Sequence, residues 1–350
     1  MDFLLLLWIQ FDCNPVAFRL PFIHHPIAWY GCIFSLAFYI GYKLFIWIYT
    51  RNLLPKVSIP EEYKKIKVPP SFILNKKNQK LYTFFRKNSD DKKSLEKLNL
   101  QLYLEETFPR KVTSIEKIAT SFADSALLYI IAATVVGARL GHILFYEDIY
   151  FFLKSPTLIF KTWEGGLASH GGILAILFAV FLFTKKNKPL SFLAFMDLLT
   201  IPTMFVCAWI RIGNFINQEI LGSVSTLPWA VIFLHPAGGE SILPRHPIQI
   251  YESILYFFVC FLLLILWKKE PYRKVTGLYT GLALSISFSV RFLLEFFKES
   301  QSIYDSTMFL DIGQILSIPM ILCGILLVRY SLRIKDPLDK KGEEDYKELL

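Results

Sequence analysis

Long apolar stretches separated by polar and charged segments dominate this chain of 350 residues. A transmembrane α-helix needs roughly 20 consecutive, mostly apolar residues to cross a bilayer. Seven stretches meet this requirement, of which the third is the shortest: residues 27–49, 119–146, 168–184, 190–210, 248–267, 275–298 and 310–330. The pattern predicts an all-α integral membrane protein with about seven transmembrane helices. Residues 211–247 are predicted to form a small extracytoplasmic head between the fourth and fifth helices.

Lysine and arginine are distributed unevenly among the connecting segments. They are concentrated in residues 51–117, 185–188 and 268–274, which follow the first, third and fifth predicted helices. Cytoplasmic loops of membrane proteins carry the excess of Lys and Arg. The N-terminus is therefore predicted to be extracytoplasmic and the C-terminus cytoplasmic, and an odd number of helices agrees with this topology.

The apolar stretches and the distribution of Lys and Arg together divide the chain into segments. Residues 1–26 are predicted to be an extracytoplasmic or interfacial segment, 119–330 the core formed by the second to seventh helices, and 331–350 a cytoplasmic tail. Residues 51–117 are a basic cytoplasmic insertion with 16 Lys/Arg and 8 Asp/Glu, which gives +8 of the total net charge of +9. The insertion is either a small subdomain or a partly ordered segment lying on anionic lipid, with a short amphipathic helix at 94–104.

Composition excludes several classes of protein. Hydrophobic residues make up 54% of the chain and the mean hydropathy is +0.43, which is too apolar for an ordinary soluble domain. Because the basic excess lies beside a membrane helix, it indicates orientation, and no nucleic-acid partner is expected. Five cysteines show neither CxxC nor Cys/His spacing, so no disulfide framework, metal site or cofactor is predicted.

Ionisable residues inside membrane helices cost about 2.5–3.5 kcal/mol each on insertion scales, so several together need a reason. The predicted helices contain several, among them Asp124, Arg139, His142, Asp197, Glu252, Arg291, Glu295 and Asp311. Arg291 and Glu295 are four residues apart and share a helix face. They either neutralise each other or, together with Arg211 near the same membrane side, form part of an anion-binding site.

The segment from Arg211 to Gly222 combines an arginine with Asn214, Asn217 and Glu219 where the fourth helix leaves the hydrocarbon. A guanidinium offers a fixed fork of donors that suits phosphate, and carboxamides add further donors and acceptors. The segment indicates a site for a phospholipid headgroup at the membrane surface. The alternative is a helix terminus with a capping asparagine and a snorkelling arginine.

Three further features are candidates for function. His170 lies between glycine pairs within residues 163–172, and imidazole transfers protons near neutral pH; a hydrogen-bonded structural histidine is the alternative. Tyr30 lies at the start of the first helix. Anchoring by aromatic residues at the membrane interface explains a tyrosine there equally well. Gln249 and Glu252 are three residues apart in the fifth helix, and both could face the interior.

Taken together, these segments resemble the prolipoprotein diacylglyceryl transferase family. The resemblance runs from about residue 14 to the last helix and leaves out residues 51–117 and the tail. Its motifs are Trp29-Tyr30-Gly31, Gly137-Ala138-Arg139, Gly166 to Gly172 around His170, Arg211 to Gly222, Arg245-His246-Pro247 with Gln249, Tyr251 and Glu252, and Arg291-Phe292 with Glu295-Phe296-Phe297. Two departures are Ile210, where family members usually have glycine, and the unusual length of residues 51–117.

The resemblance implies an enzyme of the bacterial inner membrane. It would transfer diacylglyceryl from phosphatidylglycerol to the thiol of the lipobox cysteine of a prolipoprotein, forming a thioether and releasing glycerol phosphate near the outer leaflet. By matching positions, Arg211 and Arg291 would hold the phosphate, Glu295 would orient Arg291, and Asn214 and Glu219 would shape the headgroup pocket.

The remaining positions receive roles from the same resemblance. His170 is the candidate base for the substrate thiol, or else it only orients lipid while the arginines lower the pKa of that thiol. Tyr30 would contact lipid or substrate, and Gly222 would permit a tight turn. Three more residues are expected to bind substrate: Arg139, Asn217 and Glu252. A multipass transporter is the rival interpretation, because buried charges and glycine-interrupted helices are typical of transporters too.

Overall fold

The computed structural model describes residues 8–19, 26–53, 63, 66–69, 72, 74–88, 92–108, 114–146, 156–160, 166, 168–187, 190–269, 275–299 and 310–333. The chain divides into two compact units. The first unit comprises residues 1–45 and 197–337, and the second comprises residues 46–196 and 338–350. Each unit is described by itself below.

Helices account for most of the described residues. In chain order they are α1 Trp29–Leu53, α2 Lys76–Asn88, α3 Lys92–Thr107, α4 Ile115–Tyr146, α5 Ser169–Lys186, α6 Phe192–Ile216, α7 Ile248–Lys268, α8 Leu278–Leu294 and α9 Ile312–Arg333. Two short 3₁₀ helices, Pro156–Phe160 and Glu295–Phe297, accompany them. The predicted helix at 94–104 is confirmed as part of α3.

Among the described residues, six helices are long and apolar enough to cross a membrane: α1, α4, α6, α7, α8 and α9. The prediction of a helical membrane protein is thereby confirmed. The third predicted span coincides with α5, an 18-residue helix that does not belong to these six. The seventh span therefore stays a prediction.

Asp197 shows how the fold satisfies an acid within a membrane helix. Its carboxylate accepts hydrogen bonds from the Gly277 amide at 2.5 Å, the Thr280 amide at 2.8 Å and the Thr280 hydroxyl at 2.7 Å. The first amides of a helix have no partner within that helix. Asp197 of α6 thus caps the N-terminus of α8, and its burial has a structural explanation.

Short strands add a small sheet region to the first unit. β1 Ile9–Phe11 pairs in parallel with β4 Val231–Phe233, and β4 pairs antiparallel with β5 Pro244–Arg245. A separate antiparallel pair joins β2 Val16–Arg19 to β3 Pro26–Ala28. Apolar side chains form the core beneath the first sheet: Phe11, Phe215, Leu221, Val231 and Phe233. Residues 211–247 therefore include two strands, one of which pairs with a strand from residues 1–26, and a head outside the membrane stays a prediction.

In the second unit α4 and α5 pack at small residues. A Cβ at Gly141 would lie 2.7 Å from the Cα of Gly171, and Gly137 also contacts the Gly171 backbone. The absence of side chains lets the two helix backbones approach closely, as in other membrane helix pairs. Gly171, which follows His170, is one of these close contacts. Within residues 163–172, positions 163–165 and 167 lie outside the described residues.

Candidate functional site

Arg211 is a nearly buried arginine in the last turns of α6, with 15% of its side chain exposed. Its Nε lies 2.7 Å from Oε2 of Glu252, and its Nη1 donates to Oδ1 of Asn214 at 3.3 Å. The Tyr256 hydroxyl interacts electrostatically with the same guanidinium. A guanidinium has five N–H donors, and the hydrogen bond to Asn214 uses one of them, so Arg211 keeps donors that could bind a ligand.

Glu252 continues this contact into a chain of buried ions. Lys298 Nζ lies 3.0 Å from Oε1 of Glu252 and 3.2 Å from Oε2 of Glu295. The side chains of Glu252 and Lys298 are only 1% and 7% exposed. The term ion chain is used below for four residues whose charges alternate in sign: Arg211, Glu252, Lys298 and Glu295. Alternation is required here because a buried ion without a partner is strongly destabilising.

A polar arm extends from Arg211 in the other direction. Asn214 donates from Nδ2 to Oε1 of Glu219 at 2.6 Å, and Gln249 donates from Nε2 to the backbone carbonyl of Glu219 at 2.8 Å. Gln249 and Glu252 are 0% and 1% exposed. The prediction that both residues face the interior is therefore confirmed.

Gly222 allows the backbone approach that brings Lys298 to the site. It forms an antiparallel bridge with Lys298, and the neighbouring Ser223 amide donates to the Phe297 carbonyl at 2.9 Å. A Cβ at Gly222 would collide with the carbonyl oxygen of His246 and would lie 2.8 Å from its Cβ. Burial lowers the pKa of this histidine. Gly222 was expected to permit a tight turn. In the structure it permits a close contact between its own segment and those of His246 and Lys298.

We predict that Gly222→Ala destabilises the protein by about 1–3 kcal/mol, because an added methyl group in a packed region forces the backbone to move. The measurement is the thermal unfolding midpoint of the purified protein in detergent. Gly31→Ala is the matched control, since a Cβ at Gly31 meets no atom within 4 Å. Equal midpoints for the two variants would contradict the proposed contact.

The turn before Gly222 holds two residues in the left-handed region, Gln218 with φ 53° and Ile220 with φ 58°. A β-branched residue rarely adopts this conformation, so the surroundings must impose it. Gln218 is fully buried, donates to the Cys13 carbonyl at 3.0 Å and accepts from the His235 amide at 2.7 Å. These contacts fix the turn that presents Glu219 to Asn214.

Arg291, near the C-terminal end of α8, is half-buried and makes no ion pair or hydrogen bond with any residue that the structure describes. Its charge nevertheless acts on the hydroxyl of Tyr256, which also interacts with Arg211 and Glu252. The Tyr256 hydroxyl therefore interacts electrostatically with both arginines, and all three residues belong to the first unit. An arginine without a carboxylate partner beside a satisfied one is an arrangement suited to binding an anion.

The expected pair between Arg291 and Glu295 is not formed, and that expectation was wrong. The α-helix ends at Leu294, and Glu295 begins a 3₁₀ turn, so the spacing of four residues no longer places both side chains on one face. Glu295 pairs with Lys298 instead, and its carboxylate lies against the backbone of Gly313 in the first turn of α9. A carboxylate is favoured at that helix N-terminus.

Tyr30 and Asn217 border the same region of the first unit. The Tyr30 ring lies against α6, where a Cβ at Gly213 would be 2.9 Å from its Cδ2. Its hydroxyl lies within electrostatic range of Glu219 and Arg211. Asn217 follows the last residue of α6 and donates its amide to the Gly213 carbonyl at 2.9 Å. Tyr30 is thereby placed at the polar arm by its helix and by the small residue opposite.

Arg139 belongs to the second unit, where it binds backbone. It donates to the carbonyls of Ile159 at 2.9 Å, Leu158 at 2.6 Å and Gly166 at 3.2 Å, and the residue is 9% exposed. Three carbonyls from the connection between α4 and α5 thus converge on one guanidinium. This is the geometry of a residue that holds a loop, and it differs from the substrate contact expected from the sequence.

His170 lies in the first turn of α5 and is exposed. Its ring centroid is 5.4 Å from that of Phe145 in α4, with an edge-to-face arrangement. The loop before it is fixed by Arg139 and by the Ala168 amide, which donates to the Ala138 carbonyl at 2.9 Å. The histidine is therefore supported from one side while its ring stays accessible.

Comparison with known proteins supplies the family. A family model described as prolipoprotein diacylglyceryl transferase matches residues 100–330. The chain belongs to this family. A phosphatidylglycerol–prolipoprotein diacylglyceryl transferase of Protochlamydia amoebophila is 38% identical over 92% of this chain and 95% of its own length. Proteins of the same name from Chloroherpeton thalassium and Tolumonas auensis are each 44% identical, covering 64% and 62% of this chain and 81% of their own lengths.

Two side chains at the site of this diacylglyceryl transferase family member were missed by the sequence reasoning. Tyr256 follows Glu252 by four residues on α7, and Lys298 follows Glu295 by three. Helical spacing could have identified Tyr256, because residues i and i+4 share a face. The position of Lys298 depends on the bridge to Gly222, which local spacing does not reveal.

Proposed function

We propose that this chain transfers the diacylglyceryl group of phosphatidylglycerol to the cysteine thiol in the lipobox of a prolipoprotein. The C–O bond between the glyceryl carbon and the phosphate breaks, a C–S bond forms, and the electron pair leaves with glycerol phosphate. The thiol proton passes to a base. The observation that carries the proposal is that Arg211 and Arg291 both act electrostatically on Tyr256, while Arg291 pairs with no described carboxylate.

The two arginines account for the main barrier of such a reaction. Negative charge grows on the departing phosphate, and donors already aimed at that position stabilise the transition state more than the ground state. Arg211 keeps N–H donors for this purpose beside its bond to Asn214, and Arg291 makes no hydrogen bond with any residue that the structure describes. The chemistry needs no metal or other cofactor, because the guanidinium groups supply the required charge.

The other residues of the site hold these donors in position. Glu252 and Lys298 fix the Nε side of Arg211, while Asn214 fixes one Nη group and Glu219 fixes Asn214. Glu295 acts on Arg211 only through Lys298, so it is a positioning residue. We expect the headgroup glycerol to lie beside Glu219 and Tyr30, which interact electrostatically, and Asn217 and Gly222 are proposed to contact it as well.

His170 is proposed as the acceptor of the thiol proton. A free thiol with a pKa near 8.5 is only a few per cent ionised at pH 7, so a base accelerates attack. Arg139 supports this role by fixing the loop before α5, which replaces its expected contact with substrate.

We predict that His170→Ala lowers kcat by about 10²–10⁴-fold, the range typical of a lost general base, with little change in KM for phosphatidylglycerol. His170→Asn separates the alternatives, because it retains hydrogen bonding but accepts no proton near neutral pH. Steady-state kinetics with a lipobox peptide provide the measurement. Near-normal kcat in the Asn variant, or a change confined to KM, would assign His170 to lipid orientation.

The proposed location is the bacterial inner membrane, with the site near the outer leaflet. With α5 as the seventh span, the basic segments 51–117, 185–188 and 268–274 all lie on one side, which the positive-inside rule assigns to the cytoplasm. The N-terminus is then extracytoplasmic and the C-terminus cytoplasmic. Arg211 and Arg291 lie near the C-terminal ends of α6 and α8, two spans that run in the same direction.

A direct assay distinguishes this function from transport. Purified protein is incubated with phosphatidylglycerol labelled in its acyl chains and with a lipobox peptide, and the peptide is analysed by mass spectrometry. We expect a thioether-linked diacylglyceryl group on the cysteine and none on a Cys→Ser peptide. Absence of this product, under conditions in which a homologous enzyme forms it, would reject the proposal, and solute flux into proteoliposomes would favour the transporter.

A further inference from the structure

The insertion that follows α1 is not explained by the proposed reaction. Most of residues 51–117 lie outside the match to the family model, which begins at residue 100. The described part contains α2 and α3, which lie in the second unit with the C-terminal end of α1 and with α4. The insertion therefore has defined helices, and its contacts and charges indicate what it binds.

Aromatic contacts fix α2 at the end of α1. The ring centroids of Trp47 and Phe84 are 6.1 Å apart, and the Arg51 guanidinium carbon lies 4.0 Å and 5.0 Å from those two centroids. Arg51 also donates to the Trp47 carbonyl at 3.0 Å. The cation is thus enclosed by two aromatic faces, which is a favourable arrangement. α2 is consequently packed against the last two turns of α1.

This contact places α2 at the depth of the lipid headgroups. The apolar span of α1 runs from Trp29 to Asn52, 24 residues, or about 36 Å at 1.5 Å per residue. The hydrocarbon core is only about 30 Å thick, so the last turns of α1 lie in the interface. Trp47 is five residues before the end of the span, about 8 Å, where tryptophan is commonly found in membrane proteins.

Two acidic groups near the end of α3, Glu105 and Glu106, form hydrogen bonds with neighbouring segments. Oε1 of Glu106 accepts from the Asn75 amide at 3.2 Å and from Nδ2 of Asn78 at 2.6 Å, which joins α3 to the start of α2. Glu105 accepts from the Ile115 amide at 3.1 Å, which joins α3 to α4. These two carboxylates therefore stabilise the fold of the insertion, and Glu96 is the one acid among the described residues of α2 and α3 that is exposed.

The basic side chains that the structure describes in α2 and α3 are exposed. Four of them are exposed and make no ion pair with any residue that the structure describes: Lys80, Arg86, Lys87 and Lys92. Lys77, also exposed, pairs with Glu116 at the start of α4. The term basic surface is used below for these four exposed positive charges of α2 and α3: Lys80, Arg86, Lys87 and Lys92.

We propose that the basic surface binds anionic phospholipid headgroups on the membrane face where α1 ends. Juxtamembrane Lys and Arg are attracted to anionic lipid, and the attraction extends over about one Debye length, roughly 8–10 Å. The packing of Phe84 on Trp47 holds α2, which carries Lys80, Arg86 and Lys87, beside the end of α1, and α3 follows with Lys92. The surface would hold α2 and α3 against the bilayer, and it would do so whether or not the chain transfers lipid.

Hydrogen exchange of the full chain in nanodiscs tests this proposal. The discs contain phosphatidylcholine alone or phosphatidylcholine with phosphatidylserine, an anionic lipid that differs from the proposed acyl donor. Exchange of the α2 and α3 amides is expected to slow at least about tenfold with the anionic lipid, because several cations act together. High salt should abolish the difference, and this arm requires no variant.

Two variants complete the test. The quadruple variant K80Q/R86Q/K87Q/K92Q is expected to lose the lipid-dependent protection, while K185Q/K186Q, which removes exposed charges of α5, should retain it. Equal exchange in both lipids, or protection that survives in the quadruple variant, would overturn the proposal. Protection by added RNA in phosphatidylcholine discs, with none from phosphatidylserine, would also overturn it and would assign the surface to nucleic acid.

Discussion

Replacing Arg211 with lysine is expected to lower the rate of diacylglyceryl transfer by about 10²–10³-fold, as removal of a single oxyanion donor does in other enzymes. An ammonium can keep the ion pair with Glu252, so the protein should fold. It cannot contact Glu252, Asn214 and a phosphate at the same time, because only the planar fork presents donors in several fixed directions. Single-turnover transfer to a lipobox peptide measures the chemical step.

Arg19→Lys is the matched control for this variant, since Arg19 is exposed in β2. It should transfer at the wild-type rate. If a folded Arg211→Lys enzyme also transferred at nearly that rate, Arg211 would have no special part in holding the phosphate.

Glu252→Gln should produce the largest loss of stability, about 3–5 kcal/mol, the range found when one partner of a buried ion pair is removed. The change leaves Arg211 and Lys298 without the carboxylate that lies 2.7 Å and 3.0 Å from them. Adding Lys298→Met removes one of these cations and should recover part of the loss. Thermal unfolding of the two single variants and the double variant gives the interaction energy of the pair.

Glu96→Gln controls for loss of a carboxylate at an exposed position of α3. The ion chain would be without energetic importance if Glu252→Gln unfolded at the same temperature as this control. Simple additivity in the double variant would show that Glu252 and Lys298 do not interact.

The spans were predictable because the bilayer imposes one length requirement on every helix that crosses it. The inward direction of Gln249 and Glu252 was predictable for a related reason: residues three apart on a helix share a face. The proposed role of Arg211 also came from local sequence, since a guanidinium among carboxamides at a helix end suits a phosphate. These inferences all depend on neighbours within one helix.

What could not be predicted depends on contacts between distant segments. Lys298 reaches Glu252 because its backbone pairs with Gly222, 76 positions earlier in the chain. The pairing expected between Arg291 and Glu295 failed because the helix tightens at Glu295, and no residue type there signals the change. Arg139 was expected to bind substrate, yet three carbonyls from a distant loop occupy its donors.

The central claim is that Arg211 and Arg291 hold one phosphate between them. Its most direct test is an experimental structure of the protein with a phosphonate analogue of phosphatidylglycerol, in which the bond to be broken is replaced by a stable C–P linkage. The account predicts phosphonate oxygens within hydrogen-bonding distance of both guanidinium groups. A phosphonate bound elsewhere, with both arginines facing acyl chains, would contradict it.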